Sequence, residues 1–308
     1  MKVYRLVALK ESVLLRSTSG GAFTVLAETV LSLGGSVYGA AFNERKEVCH
    51  QRITSESSLY MLVGTKYVQS KIGDSYIQTI RDLRAGCDVM FVGTPCQIDG
   101  LKHYLEYLNC DTSRLVLVDL ICHCVPSPKV WRDFVSSRKI EDTEIIFRDK
   151  KHWTWLDCKG SAYDGEQHYP LDDFTQLFYS HEICRPSCYK CRYANLNRPG
   201  DITLGDAWLI DDNQNREKPL GESLVLVNTK KGESVLRLCK DCKMIPASLS
   251  SFRQPQLYNP IRRPLGRSLF WRRYKKGGIE LVVRDCEDNH SFYSIRKKII
   301  SRLKSLFR

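Results

Sequence analysis

The sequence lacks the features typical of membrane-spanning, secreted and repeat proteins. No apolar run approaches the ~20 residues of a membrane-spanning helix. The N-terminus has no long apolar segment followed by a small-residue cleavage site, so a signal peptide is not expected. The chain has no internal repeat and no low-complexity segment. Its 308 residues, 43% hydrophobic and 27% charged, predict a globular protein with a buried core, and we expect it in the cytoplasm.

Net positive charge is small outside one part of the chain. The formal net charge is +12, but residues 262–308 hold 14 Lys and Arg against 4 Asp and Glu, which leaves the preceding residues only +2. A surface that binds nucleic acid should lie on the folded body of a protein. The near-neutral body therefore argues against nucleic acid as a partner.

Residues 293–308 combine this charge with an apolar stripe. Ile295, Ile299 and Leu303 recur at helical spacing among Arg and Lys residues. A basic amphipathic helix of this kind binds anionic lipid, which predicts a peripheral position on the inner membrane face, with Trp271 as a further interfacial residue. A terminal helix that packs its apolar stripe on the core is the other interpretation.

The spacing of hydrophobic residues predicts the secondary structure. Helical spacing with Ser, Thr, Asp or Gly near the ends occurs in residues 17–33, 74–85 and 97–108. Near-continuous apolar runs, typical of strands buried in a parallel sheet, occur in residues 37–42, 88–92 and 115–121. This alternation predicts an α/β fold with a mostly parallel or mixed sheet, flanking helices, an inserted second lobe and a basic helical C-terminal tail.

Changes in composition predict three portions. Residues 1–139 form the α/β portion. Residues 140–250 form a second lobe with a cysteine cluster and returning strands. Residues 251–308 form a Pro-rich linker and the basic amphipathic tail.

Thirteen cysteines are unusual in a chain that we expect in a reducing compartment. Cys96 and Cys122 each follow a predicted strand, where ligands gather at the carboxyl ends of a parallel sheet. Cys188 and Cys191 form a C-x-x-C turn that presents two thiolates to one metal centre. These four residues are candidate ligands of a 4Fe–4S cluster or a structural zinc, and spacing alone does not decide between the two.

The other cysteines are weaker candidates. Cys124 and Cys184 are close enough to these four to be alternate ligands, and Cys239 and Cys242 form a second C-x-x-C at a predicted helix end. The rest are interpreted as small apolar residues or free thiols: Cys49, Cys87, Cys110, Cys158 and Cys286.

Eight segments occur in an order that matches a known family: TSGGAFTVLA (18–27), VYGAAF (37–42), GTKYVQS (64–70), VGTPCQIDGL (92–101), DLICHCVPSP (119–128), FRDK (147–150), RPSCYKCRY (185–193) and GDITLGDAW (200–208). With these segments the chain resembles the coenzyme F-420 hydrogenase/dehydrogenase beta-subunit family. Within that family it looks most like the bacterial branch associated with polysaccharide synthesis.

The resemblance implies an oxidoreductase that passes electrons between a 4Fe–4S cluster and FAD, with the deazaflavin coenzyme a less favoured acceptor. The substrate would be a small molecule or sugar of polysaccharide or cell-envelope metabolism. The implied cluster ligands are Cys96, Cys122, Cys188 and Cys191. The implied flavin site lies in residues 1–139 and comprises Ser19, Gly20, Gly21, Lys66, Tyr67, Gly93 and Thr94. The chain shows no ferredoxin-like run of cysteines, so we expect a separate ferredoxin-like electron donor.

Each candidate also has a structural interpretation. The Ser19-Gly20-Gly21 turn suits a pyrophosphate at a helix N-terminus, or is an ordinary helix start. Lys66 is a candidate to contact phosphate or the flavin ring, or is a surface lysine. Tyr67 is a candidate to stack on a ring, or is a core residue.

Three further residues have the same ambiguity. His123, beside the candidate ligand Cys122, is the candidate catalytic proton donor, or is a structural histidine. Asp201 and Asp206 flank a predicted strand and either bind a ribose or substrate hydroxyl, or cap turns. The alternative function for the whole chain is a metal-stabilised binding or accessory protein without redox turnover.

Overall fold

The computed structural model describes residues 1–211 and 220–287. The strands are β1 (Lys2–Ala8), β2 (Ser36–Phe42), β3 (Val48–Ile53), β4 (Val89–Gly93), β5 (Leu115–Leu120), β6 (Glu144–Ile146), β7 (Ser161–Tyr163), β8 (His168–Pro170), β9 (Ile202–Asp206), β10 (Ser223–Val227) and β11 (Cys242–Pro246). The α-helices are α1 (Glu11–Arg16), α2 (Ala22–Ser32), α3 (Ser75–Arg84), α4 (Pro95–Tyr107), α5 (Pro128–Arg138), α6 (Asp172–Ser180), α7 (Lys230–Leu238) and α8 (Arg267–Glu287). Short 3-10 helices cover Glu56–Met61, Pro186–Lys190, Leu249–Ser251 and Pro255–Leu257.

One mixed sheet of eight strands organises the molecule, in the order β11-β1-β10-β9-β5-β4-β2-β3. The central neighbours β2, β4, β5 and β9 are parallel. The outer strands β3, β10, β1 and β11 pair in the antiparallel sense. The predicted α/β fold with a mostly parallel or mixed sheet is confirmed.

The central strands of the sheet are covered on both faces, and their side chains point alternately to one face and the other. In β4, Met90 and Val92 belong to the core that includes α2, whereas Val89 and Phe91 pack with α3 and α4 on the other face. A strand covered on both sides needs apolar residues at every position, which explains the uninterrupted apolar run.

The region after β5 builds a second core. Strands β6, β7 and β8 form a separate three-stranded sheet. Its core is dominated by the aromatic side chains of Trp131, Phe134, Phe147 and Phe174. Strands β9, β10 and β11 then return to the main sheet, where β1 lies between β10 and β11.

Helix α8 belongs to this second core. Phe270, Tyr274 and Val282 are buried there, and the helix contains a kink at Gly278, whose φ is +67°. Trp271 is half-buried, and its Nε1–H donates to the carbonyl of Glu182 at 3.2 Å. The predicted lipid-binding segment 293–308 lies outside the described residues. Within the described part of the chain, no helix is both long and apolar enough to cross a bilayer.

Candidate functional site

Parallel strands bring the first two candidate cysteines to one edge of the sheet. Strands β4 and β5 run parallel, so the residues that follow their carboxyl ends lie at the same edge. Cys96 lies in the first turn of α4, directly after β4, and Cys122 follows the end of β5. The structure therefore has both cysteines beyond strand ends, as predicted.

The first turn of α4 is tightly defined by its sequence. Pro95 begins the helix, and Thr94 and Gln97 cap each other's backbone N–H groups. Thr94 Oγ1 lies 3.2 Å from Cys96 Sγ. The cap thus fixes the position of an exposed thiol at the start of a helix.

The C-x-x-C turn is held against the segment that follows β5. Pro126 and Cys184 form an isolated antiparallel bridge, and the N–H of Arg185 donates to the carbonyl of Val125 at 3.0 Å. The backbone N–H of Val125 also donates to the Cys188 thiol, which favours its thiolate form. Two segments distant in sequence are therefore joined around the candidate ligands.

The four candidate ligands lie within electrostatic reach of one another. Burial raises the pKa of Cys122 well above its usual range, and the neighbouring thiols of Cys96, Cys188 and Cys191 raise it further. Burial, Cys191 and Cys96 also raise the pKa of Cys188. Four neighbouring thiolates are unfavourable together without a positive centre, and soft sulfur donors are the ligands that an iron–sulfur or zinc centre requires. The donor set therefore fits such a centre.

Two cysteines that the sequence offered as alternate ligands have another partner. Cys124 and Cys184 are bonded to each other as a disulfide, so neither is a free thiol. Both pack beside Cys188, and their role as alternate ligands stays a prediction. The second C-x-x-C pair, Cys239 and Cys242, lies at the end of α7 and in the edge strand β11.

A cavity of about 880 Å³ is bordered by Cys122, one of the four candidate ligands. It is lined by residues from the β1–α2 connection, the segment before α3, and the ends of β4 and β5. The sequence-predicted residues that it brings together are Ser19, Gly21, Lys66, Tyr67, Gly93, Thr94, Cys122 and His123. Of the residues predicted from the sequence for the flavin, Gly20 is the one that does not line it.

Gly20 has a packing role. A Cβ atom added there would lie 2.1 Å from the Leu6 carbonyl oxygen and 2.5 Å from the Ser223 nitrogen. The adjacent Ser19 Oγ lies 3.0 Å from Ser223 Oγ, and Gly21 has φ of +85° directly before α2. The helix predicted over residues 17–33 therefore begins only at Ala22, because two glycines carry the chain through this crowded turn.

We expect Gly20→Ala to destabilise the fold by about 3 kcal/mol or more, since backbone atoms on two strands would have to move. Urea unfolding measures this loss. Gly39→Ala is the matched control, because the atoms nearest to a Cβ there belong to the Leu62 side chain and lie at an ordinary 3.4 Å or more. Equal stability of the two variants would contradict the packing account.

The Lys66 and Tyr67 side chains both contact other residues of the protein. The Lys66 ammonium donates to the carbonyls of Met61, Leu62 and Val63 at 3.3, 3.0 and 2.9 Å. Burial lowers the pKa of Lys66 to about 7. Tyr67 stacks on Phe178 with ring centres 4.3 Å apart. Both residues line the cavity, and Lys66 holds the carbonyls at the end of a 3-10 helix in place.

His123 lines the cavity beside Cys122. Burial lowers the pKa of His123, and the nearby Asp206 carboxylate opposes this. The imidazole is therefore neutral near pH 7, the state in which it accepts a proton.

The structure adds Arg148, a residue of the FRDK segment that the sequence pattern did not single out. Its guanidinium is buried, bonds to Asp206 Oδ2 and the Trp155 carbonyl at 2.6 Å each, and lies 5.2 Å from the ring centre of Trp208. Asp206 and Trp208 also line the cavity. The Asp201 carboxylate instead accepts hydrogen bonds from the Leu117 N–H and the Thr229 hydroxyl. These bonds agree with a structural role for Asp201.

Several polar atoms of the cavity wall are buried and have no hydrogen-bond partner within residues 1–211 and 220–287: Ser17 Oγ, Thr24 Oγ1, Arg148 Nε and Thr175 Oγ1. Buried polar groups in proteins are almost always paired. These groups are therefore suited to a polar ligand in the cavity. Unpaired hydroxyls leave no pattern in a sequence, so they were not predictable.

The buried His50, which also lines the cavity, should make the fold less stable in acid. Burial lowers its pKa to about 4, while Nε2 contacts the Val92 carbonyl at 3.0 Å and Nδ1 contacts Ser70 Oγ at 2.7 Å. The unfolded chain, with the ordinary value of 6.5, binds more protons between these two pH values. The contribution of His50 is complete above pH 6.5 and is lost as the pH falls towards 4.

Between pH 6.5 and pH 4, we expect the free energy of unfolding of the wild type to fall by about 3 kcal/mol more than that of His50→Gln. Urea unfolding at both ends of the range measures the difference. His103→Gln, at an exposed position, is the control and should keep the wild-type slope. An unchanged slope in His50→Gln would contradict the assignment.

Three comparisons with known proteins bear on this site. A family model for the C-terminal part of the beta subunit of coenzyme F420 hydrogenase/dehydrogenase matches residues 87–249, which is more than half of the chain. The fold is similar to a chain of the F420-reducing NiFe hydrogenase complex from Methanosarcina barkeri, studied as a xenon derivative. The TM-score is 0.58 at 17% identity, over 90% of this chain and 93% of that chain. No curated protein matches the sequence.

Proposed function

Because the chain belongs to the coenzyme F420 hydrogenase/dehydrogenase beta-subunit family, we propose that it is a flavin- and iron–sulfur-dependent oxidoreductase. A 4Fe–4S cluster would be held by Cys96, Cys122, Cys188 and Cys191, and FAD would occupy the adjoining cavity. The observation that carries this proposal is the position of Cys122, which borders the cavity and interacts electrostatically with the other three thiols.

The ligand set favours a cluster over zinc. All four candidate ligands are thiolates, the soft donors that hold iron–sulfur clusters. Cys96 and Cys122 lie more than 60 residues before the C-x-x-C pair, which is not the compact spacing of a zinc finger.

The cavity fits a flavin in size and in chemistry. Its volume lies in the range of about 300–1,000 Å³ that small-molecule sites occupy. Ser19 and Gly21 stand where the N-terminus of α2 favours a phosphate group, and the unpaired Ser17 and Thr24 hydroxyls are nearby in sequence. FAD supplies exchange of hydride or single electrons, and a cluster supplies one-electron exchange. The deazaflavin coenzyme is the less favoured occupant.

The residues around the cavity suggest how a substrate would be treated. His123, kept neutral by burial, would accept a proton and then pass it on. Arg148, fixed by Asp206, would orient an oxygen acceptor through its unpaired Nε–H. The resemblance to the polysaccharide-associated branch supports a sugar of polysaccharide or cell-envelope metabolism as the substrate class.

A reductive titration tests the proposal. The full chain, purified without oxygen and titrated with dithionite, should take up about three electrons, one at the cluster and two at the flavin. Heating should then release the flavin for identification. A colourless chain that takes up no electrons would contradict the proposal and support a metal-stabilised binding protein without redox turnover.

A further inference from the structure

A second concavity, of about 970 Å³, lies beside the C-x-x-C turn. It is lined by the turn itself and by residues around the start of α8, and we call it the basic groove. Its lining residues are Pro186, Ser187, Tyr189, Lys190, Arg263, Arg267, Ser268, Trp271, Arg272 and Lys275. Five of these are basic and none is acidic, whereas the chain before residue 262 is close to neutral.

The charges of the basic groove are mostly uncompensated. Lys190, Arg263, Arg272 and Lys275 are exposed and form no ion pair with residues 1–211 or 220–287. The Arg267 guanidinium lies 5.4 Å from the ring centres of both Tyr189 and Trp271. Clustered like charges repel one another, and the carboxylates of a bound partner would relieve that repulsion.

The basic groove and the cavity border different members of the four-thiol group. Ser187 and Tyr189, the two neighbours of Cys188, line the groove, whereas Cys122 lines the cavity. Cys122 and Cys188 interact electrostatically. A molecule in the groove would therefore contact the residues next to one candidate ligand, while a molecule in the cavity contacts another.

We propose that the basic groove is the docking surface of a small acidic electron-transfer protein that reduces the four-thiol centre. This inference rests on the proposed function. One electron would leave the reduced centre of the donor and enter the cluster, with no bond formed or broken. The partly buried Tyr189 and Trp271 supply the aromatic centre typical of a protein interface, and the surrounding Arg and Lys supply a charged rim.

Charge reversal tests the surface. Arg272→Glu/Lys275→Glu changes two exposed residues, and Lys240→Glu/Lys243→Glu makes the same charge change at the end of α7 and in edge strand β11. The probe is an oxidised, acidic plant-type 2Fe–2S ferredoxin, and its binding is measured by calorimetry at low and high salt. We expect the groove variant to bind at least about tenfold more weakly at low salt, and the control to bind as the wild type does.

A second readout separates the failure of this proposal from the failure of the proposed function. Reduced ferredoxin should reduce the groove variant about tenfold more slowly than the wild type at low salt, while dithionite reduces both equally. Equal ferredoxin binding by both variants would overturn the docking surface. The docking surface would also be overturned if the groove variant lost binding to anionic vesicles or duplex DNA but bound ferredoxin as the wild type does. A wild type that dithionite does not reduce would refute the proposed function, while calorimetry would still decide the docking surface.

Discussion

Cys122→Ser should lower the iron content of the anaerobically purified chain at least about tenfold, with loss of the absorbance near 400–450 nm. The hydroxyl of Ser is a hard ligand, whereas iron–sulfur clusters require soft thiolates. Cys122 is the candidate ligand that faces both the cavity and the other three thiols, so we expect no other thiol to replace it. The measurements are iron per chain and the visible spectrum.

Cys87→Ser is the matched control, because Cys87 is a half-buried free thiol in the turn after α3. It should retain wild-type iron and colour. If Cys122→Ser keeps full iron, or if both variants lose it equally, the assignment of Cys122 as a ligand is refuted.

Arg198→Met should lower the free energy of unfolding by about 3–5 kcal/mol, because it leaves a buried carboxylate without its counter-charge. Arg198 and Asp119 are both almost fully buried and are joined at 2.6 Å. Arg198 also donates to the carbonyls of Tyr193 and Leu120 at 2.8 and 3.0 Å. The pair therefore links the segment after the C-x-x-C turn to the end of β5, and its loss should reduce iron content too.

Two comparisons sharpen this experiment, which uses urea unfolding and iron analysis. Asp119→Asn/Arg198→Met removes both charges, and should be more stable than Arg198→Met alone. Arg192→Met, at an exposed arginine that bonds Asp99 Oδ2, should change stability by less than about 1 kcal/mol. A loss of similar size in Arg192→Met and Arg198→Met would contradict the proposed link.

The regular elements of the central sheet were predictable because their sequence patterns are local. The buried runs of β4 and β5 and the amphipathic pattern of α3 lie within a residue or two of their predicted bounds. The pairing of β1 with β10 and β11 was not predictable, since it joins residues more than 200 positions apart. The start of α2 was misplaced because the crowding around Gly20 is a tertiary contact.

The candidate site was predictable where residue type and strand ends coincide. Cys96 and Cys122 could be placed because parallel strands end at one edge, and the C-x-x-C turn is visible in the sequence. The Cys124–Cys184 disulfide was not predictable, because proximity in sequence to the ligands does not reveal which thiols meet. The hydrogen bonds from the Lys66 ammonium to three carbonyls were not predictable either, because they depend on the conformation of a loop.

Metal and flavin analysis of the full chain tests the central claim most directly. The chain is purified without oxygen, and iron, zinc and released flavin are quantified against protein. The account predicts about four iron atoms and one flavin per chain, with little zinc. One zinc per chain, without iron or flavin, would contradict it.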